Sequence, residues 1–364
     1  MKKRVKILSV LVIMMLTVIG AAACGEPETE GSKSVEYDMG FIASGSTVED
    51  DPVENAIWQS VILFGENNGN SHRYYIAETH DQAAYLKCIE SAVSSGTKVI
   101  ITEGYELAPV VRIAQQEYPD VDFIHIQGSM DSRNGGKGEL KPASNTLKIS
   151  FCEEQAGFLA GYGCVKDKKW ELAVIGDRSN AASRNYAAGF IQGADKAAED
   201  MGISDVTVKC KMYRNTQPLR KVRKLAARFY RNGTEAVFVC DGTYNRPVAA
   251  AAENNDGLLI CAETDMSGTY ENVLSTAARD YTGALNYALT KHFDNKFPGG
   301  KSMRMGAGRD AVMLPLDNSK FDEFSEGQYE AVFERIASGS IKVKDGSGGV
   351  PAGLSPEIVS VKVI

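Results

Sequence analysis

The chain has 364 residues, of which 43% are hydrophobic and 24% charged. That is material for two to three ordinary domains, with two the working number, and it excludes long disorder or a collagen-like repeat. Forty-seven Asp and Glu against 40 Lys and Arg leave a net charge of −7, which argues against a dedicated nucleic-acid binder, whose phosphate contacts require clustered cationic charge.

Lys2, Lys3, Arg4 and Lys6 precede an apolar run from Ile7 to Ile19, and the small residues Gly20 to Ala23 lead into Cys24. This is the order of an export signal: charged region, apolar region, cleavage site. The run is shorter than the roughly 20 residues a helix needs to cross a hydrocarbon core, and no stop-transfer pattern follows, so a retained membrane span is the weaker reading. Ala-Ala-Ala-Cys-Gly resembles a bacterial lipoprotein cleavage site, which implies that residues 1–23 are removed and that Cys24 carries diacylglycerol on its sulfur. Plain secretion is the alternative. More than one acyl chain makes such an anchor stable, at about 0.8 kcal/mol per buried methylene. Residues 24–34, rich in Glu, Pro, Gly and Ser, read as a flexible tether. Cleavage takes four positive charges from the −7 balance and leaves an acidic body at −11.

From Val35 onward, short runs of Val, Ile and Phe alternate with amphipathic segments, punctuated by Gly, Asn and Asp. This is the rhythm of βαβ units and a doubly wound α/β fold. Strands are expected at Tyr37 to Ala43, Arg73 to Ala77, Lys98 to Thr102, Asp122 to Gln127 and Thr146 to Ser150, with helices near 51–65, 80–95, 107–117 and 152–165. The pattern restarts with strands at Leu172 to Gly176, Val206 to Met212, Ala236 to Cys240 and Leu258 to Cys261, and helices near 181–201, 216–231 and 246–255. Two Rossmann-like lobes follow: 35–150 with part of 266–320, and 151–265 with part of 300–343. In the tail, Tyr281 to Phe293 and Gly327 to Ile336 read as helices, Ser302 to Gly306 and Asp310 to Leu316 as strands, and 345–353 as a mobile connector. Residues 344–364 form a C-terminal tail that ends in a short strand.

Six cysteines follow Cys24, at 88, 152, 164, 210, 240 and 261. None is in C-x-x-C spacing, and the four histidines offer no ligand pair, so no metal site or cofactor is expected. Gly299-Gly300-Lys301-Ser302 lacks the first glycine of a phosphate-cradling loop. Gly306-Ala307-Gly308-Arg309-Asp310-Ala311 precedes a strand where a dinucleotide turn must open a helix. Gly157 and Gly161 form a small-residue pair suited to close packing of their helix on a sheet. No nucleophile elbow or metalloprotease motif is present.

Phe151-Cys152-Glu153-Glu154-Gln155-Ala156-Gly157-Phe158-Leu159-Ala160-Gly161-Tyr162 resembles a segment of the basic membrane protein family of lipoproteins. The likeness continues in order through Glu171 to Gly176, Tyr186 to Ala194, Val273 to Thr276 and Ile336 to Val343. It implies a type I periplasmic-binding-protein fold: two lobes joined by hinge crossings that close on a purine nucleoside and deliver it to the permease and ATPase of an ABC importer. Ligands of open α/β sheets bind beyond the carboxyl ends of the strands, so the candidate residues lie in those loops.

Asp50 and Glu54 stand in the first loop, where Val53 and Glu54 replace the family's Phe and Asn. Trp58 shares a helix face with Ile57, Val61 and Ile62, which fits core or cleft wall more readily than contact. Tyr105 and Tyr244 are candidate stacking faces for a base, with Asn245 reading its edge, and each Tyr fits turn packing equally. Glu263 and Asp265 follow a strand, and Arg279 supplies the family's basic residue. Arg220, Lys221, Arg223, Lys224, Arg228 and Arg231 form a solvated or permease-facing surface. The rival readings are a tethered enzyme using Asp50, Glu54 and Glu263 as acid and base, and a sensor that reports ligand without transporting it.

Overall fold

The computed structural model describes residues 36–44, 47–126, 140–214 and 216–364. The export signal, Cys24 and the tether therefore lie outside the described residues, as does Gln127 at the expected end of the fourth strand.

Five strands built from Val, Ile and Phe runs open the chain: β1 (Met39–Ala43), β2 (His72–Ile76), β3 (Val99–Glu103), β4 (Asp122–Ile126) and β5 (Thr146–Phe151). With β11 (Lys301–Met305) they form one parallel sheet in the order β11-β5-β4-β3-β1-β2. All of β1 is buried, as expected of a parallel strand covered on both faces. Helices α1 (Pro52–Asn68) and α8 (Tyr281–Phe293) cover one face, and α2 (Gln82–Ser94) and α3 (Ala108–Glu117) the other. Asp51 fixes where α1 starts, its carboxylate accepting from the backbone of Val53 (2.7 Å) and Glu54 (3.1 Å) with Pro52 following.

The second sheet has the order β12-β10-β9-β8-β6-β7-β13. Its strands are β6 (Glu171–Asp177), β7 (Thr207–Tyr213), β8 (Ala236–Val239), β9 (Leu258–Glu263), β10 (Val273–Arg279), β12 (Val312–Met313) and β13 (Ser360–Val363). Helices α4 (Glu153–Lys166), α5 (Ala181–Met201) and α9 (Glu326–Ala337) cover one face, and α6 (Leu219–Arg231) and α7 (Asn245–Glu253) the other. Each sheet with its helices is termed a lobe below.

Four expectations need correction. Val273–Arg279, noted in the sequence only as part of a motif, is a fully buried strand in the second sheet. The strand expected at Asp310 to Leu316 shrinks to Val312–Met313, because Asp310 takes a left-handed backbone (φ 50) and Pro315 lacks an N–H for a ladder. Gly157 and Gly161 pack on a helix, not a sheet: a Cβ on either would collide with the carbonyl oxygen of Tyr186 or Phe190 in α5, and Gly189 and Gly193 answer from α5 against Glu154 and Phe158. Four glycines thus let two helix backbones touch. The 345–353 segment is held rather than mobile, since the buried Gly346 donates its N–H to the side chain of Asn185 (3.0 Å). Just beyond it, the Asp195 carboxylate accepts from the backbone of Glu357, Ile358 and Val359, and β13 joins the sheet edge beside β7.

The chain passes between the sheets three times, at Cys152, Asp280 and Gly306. These crossings are bonded to one another. Cys152 donates its N–H to Met305 (2.8 Å), and Gln155 accepts from the backbone N–H of Ala307 (2.8 Å). Among the described residues no helix is long and apolar enough to cross a membrane, and no His, Cys, Asp and Glu group is arranged to hold a metal. Six described cysteines are unpaired thiols.

Candidate functional site

The carboxyl ends of the parallel strands of both sheets carry the loops that line the candidate site, and the second and third crossings bring Arg279, Tyr281 and Arg304 to its floor. Arg279 ends β10 and is only 6% exposed. Its guanidinium donates to Glu263 Oε1 at 2.7 Å and to Glu153 Oε1 at 3.2 Å, and it lies 5.5 Å from the centre of the Phe151 ring. Asn185 donates to the other oxygen of Glu153 (3.0 Å). Arg304 forks onto both oxygens of Glu154, the first bond at 2.9 Å. A buried ion pair stabilises only when its remaining hydrogen-bonding capacity is also met; at Arg279 two carboxylates meet most of it, with Nε left without a partner among the described residues, while Arg304 is partly open to solvent.

Glu263 leaves β9 with φ 88, a left-handed conformation uncommon for a side chain of its size, and keeps a partly exposed carboxylate. Glu103 ends β3 in the other sheet and feels the charge of Glu263. Burial, then Glu263, pushes its carboxyl up to about 8, against the attraction of Arg279, with Asp51 and Glu54 adding to the rise. Gly104 turns the chain just after it at φ 89 and donates its N–H to Ile126 (3.0 Å). Tyr281, the first residue of α8, has its ring edge-on to Phe151 at 5.3 Å, and burial raises its hydroxyl's pKa. A cavity of about 320 Å³ opens beside this floor between the two lobes, lined by Asn55 and Ser60 of α1, Thr264 and Asp265 after β9, and Arg279 and Thr282.

The sequence-selected residues divide. Glu54 is buried and accepts from both the N–H and the hydroxyl of Ser44 at 2.6 Å, so it braces the first loop. Asp50 is exposed beside the capping Asp51. Trp58 belongs to the core, stacked on Phe41 and edge-on to His72 and Tyr74, because its helix turns that face onto β1 and β2. Tyr244 is 1% exposed; its ring packs against Tyr213 and its hydroxyl accepts from the backbone N–H of Gln217 (3.0 Å), which leaves no open stacking face. Tyr105 is partly exposed on the turn after β3. Asn245, 5% exposed at the start of α7, has a side-chain oxygen with no hydrogen-bond partner among the described residues. Asp265 is exposed and caps its own turn, accepting from the N–H (3.0 Å) and hydroxyl (2.6 Å) of Ser267. Arg279, expected to face the ligand, spends its charge on two protein carboxylates. The acid and base trio of the enzyme reading is thus dispersed: Asp50 on the exposed first loop, Glu54 on Ser44, Glu263 on Arg279.

Glu103, Glu153 and Tyr281 were not selected from the sequence. Glu103 carried the positional signal that its strand end faces the site, since it closes the run Val-Ile-Ile-Thr directly before a glycine. Glu153 and Tyr281 gave none beyond their motif and helix start.

Two α/β lobes with three crossings are the architecture of the periplasmic-binding-protein type. Residues 39–347 match the family model Bmp, ABC transporter substrate-binding protein PnrA-like, and the chain belongs to that family. It is similar to the ABC transporter nucleoside-binding protein BmpA of Lactococcus lactis (20% identity, 97% of this chain and all of that one) and to basic membrane protein D of Borreliella burgdorferi (26% identity, 71% and 75%). Among solved structures it is similar to an ABC transporter solute-binding protein from Conexibacter woesei, at 16% identity and a TM-score of 0.64 over 85% of this chain and 98% of that one. A transcriptional activator of the comK gene from Bacillus halodurans shares the fold at 14% identity and a TM-score of 0.63 over 86% and 99%, a reminder that fold and function are separate inferences. Family membership makes this chain a substrate-binding protein of an ABC transporter, an extracytoplasmic, membrane-associated partner of the transporter and no enzyme.

Proposed function

We propose that the protein captures a nucleoside between its lobes and hands it to an importer, anchored at the membrane through lipid on Cys24. The observation that carries this reading is the cavity of about 320 Å³ lined by polar groups of both lobes, Asn55 and Ser60 from the first and Thr264, Asp265 and Arg279 from the second. Ribose hydroxyls and base amines are donors and acceptors that such groups recognise, and the Lactococcus relative is named for nucleoside binding. Tyr105 supplies a ring at the same strand ends. The two lobes would move about the crossings at Cys152, Asp280 and Gly306, excluding water as they close on the ligand.

Calorimetric titration of residues 36–364 with a panel of purine and pyrimidine nucleosides tests the ligand class, with X-ray scattering on the same samples. One nucleoside is expected to bind per chain and to reduce the radius of gyration. Silence across the panel refutes the nucleoside assignment, and binding without compaction refutes closure.

A further inference from the structure

We infer that Glu103 determines specificity in the cleft by donating a hydrogen bond from its carboxyl to an acceptor atom on the base of the captured nucleoside. The inference rests on the nucleoside reading above and adds to it the role of one residue.

The geometry isolates this side chain. It projects from the carboxyl end of β3, where the fold places ligands, and no hydrogen bond or ion pair is made to its carboxyl among the described residues. Every nearby group with which it could pair is engaged or has the wrong sign. Arg279, from β10, is held by Glu263 and Glu153. Glu263 faces it from β9, Asp51 from the loop before α1 and Glu54 from α1, all carboxylates. Tyr281 faces it from α8, its buried hydroxyl turned to the Arg279 guanidinium. An ionised carboxylate there would add a charge beside Glu263 where the local cation already serves two acids. A neutral carboxyl carries an O–H that needs an acceptor, and its rise to about 8 keeps it in that form at neutral pH. Purine ring nitrogens and carbonyl oxygens are such acceptors, whereas an exocyclic amine is not. The site therefore selects a base that presents an acceptor at this edge, a preference the paired Glu263 cannot impose.

The experiment measures dissociation constants of adenosine, inosine and guanosine for the wild type, Glu103→Gln and Glu103→Ala between pH 6 and 9. Glutamine keeps a donor at this position and does not titrate. Wild-type affinity for the best ligand should be flat to about pH 7 and approach a tenfold loss per unit above about pH 8. Glu103→Gln should recover most of the affinity that Glu103→Ala loses, about tenfold, and show none of the wild type's alkaline decline. Titration of the nucleoside itself affects all three proteins alike, so the difference between curves isolates Glu103. Glu103→Gln binding as weakly as Glu103→Ala, or wild-type affinity that rises with pH, overturns the donor role and leaves the nucleoside reading standing. Failure of the wild type to bind any of the three removes this inference, while the nucleoside reading itself falls only if the pyrimidine nucleosides are silent as well.

Discussion

Glu103 and Glu263 each end a parallel strand, one in each sheet, and their carboxyls interact across the same gap, yet the structure treats them in opposite ways. Glu263 accepts a guanidinium bond at 2.7 Å and stays partly exposed. Glu103 has no such partner among the described residues, and burial raises its carboxyl to about 8. Arg279 is placed by Glu153 and Glu263, and burial together with the neighbouring carboxylates favours the neutral form of Glu103. A site that carries one charged and one neutral carboxyl offers a ligand an acceptor on one side and a donor on the other.

The largest expected effect comes from erasing the pairing. Arg279→Met strands the fully buried Glu153 beside Glu263 and should cost about 3–5 kcal/mol in urea unfolding at neutral pH. Because the orphaned carboxyls would titrate higher in the folded than in the unfolded chain, that loss should shrink as the pH falls toward 4. Glu103→Gln acts in the other direction. The wild-type carboxyl binds its proton more tightly when folded, so native stability falls as the pH rises from the ordinary carboxylate range to about 8. The glutamine variant avoids that fall and should be more stable by roughly 2–4 kcal/mol at pH 8, with little change at pH 4, read by unfolding at both values. The smallest effect is expected at Asp51, whose carboxylate caps α1. Asp51→Ala should cost about 1 kcal/mol of stability and let Glu103 titrate slightly lower, since Asp51 is one of the charges that push it up.

Much of the fold was legible along the chain. Runs such as Val99–Glu103 and Leu172–Asp177 announce buried parallel strands because both of their faces must be covered, and Asp51-Pro52 announces a helix start because the cap and the proline meet the needs of its first turn. The site was legible only in part. The strand-end rule reaches Glu263 directly, whereas Glu103 lies one residue beyond the strand expected at Lys98 to Thr102. For Trp58 the apolar helix face already points to core, and the turn at Tyr244 fits packing as well as stacking; the structure puts both rings into cores. Arg279 was recognised as cationic, but its partner Glu153 lies 126 residues away, a distance no local pattern spans.

The alternation of strand and helix, the family motifs and the turns each depend on residues a few positions apart and are therefore written along the chain. Which carboxyl is paired and which is left neutral emerges with folding, because it depends on which charges the three crossings bring together and on how much water burial removes from around them. Folding likewise decides that Gly157, Gly161, Gly189 and Gly193 form one seam between α4 and α5, since a missing Cβ has meaning only once a second backbone lies where that atom would have been.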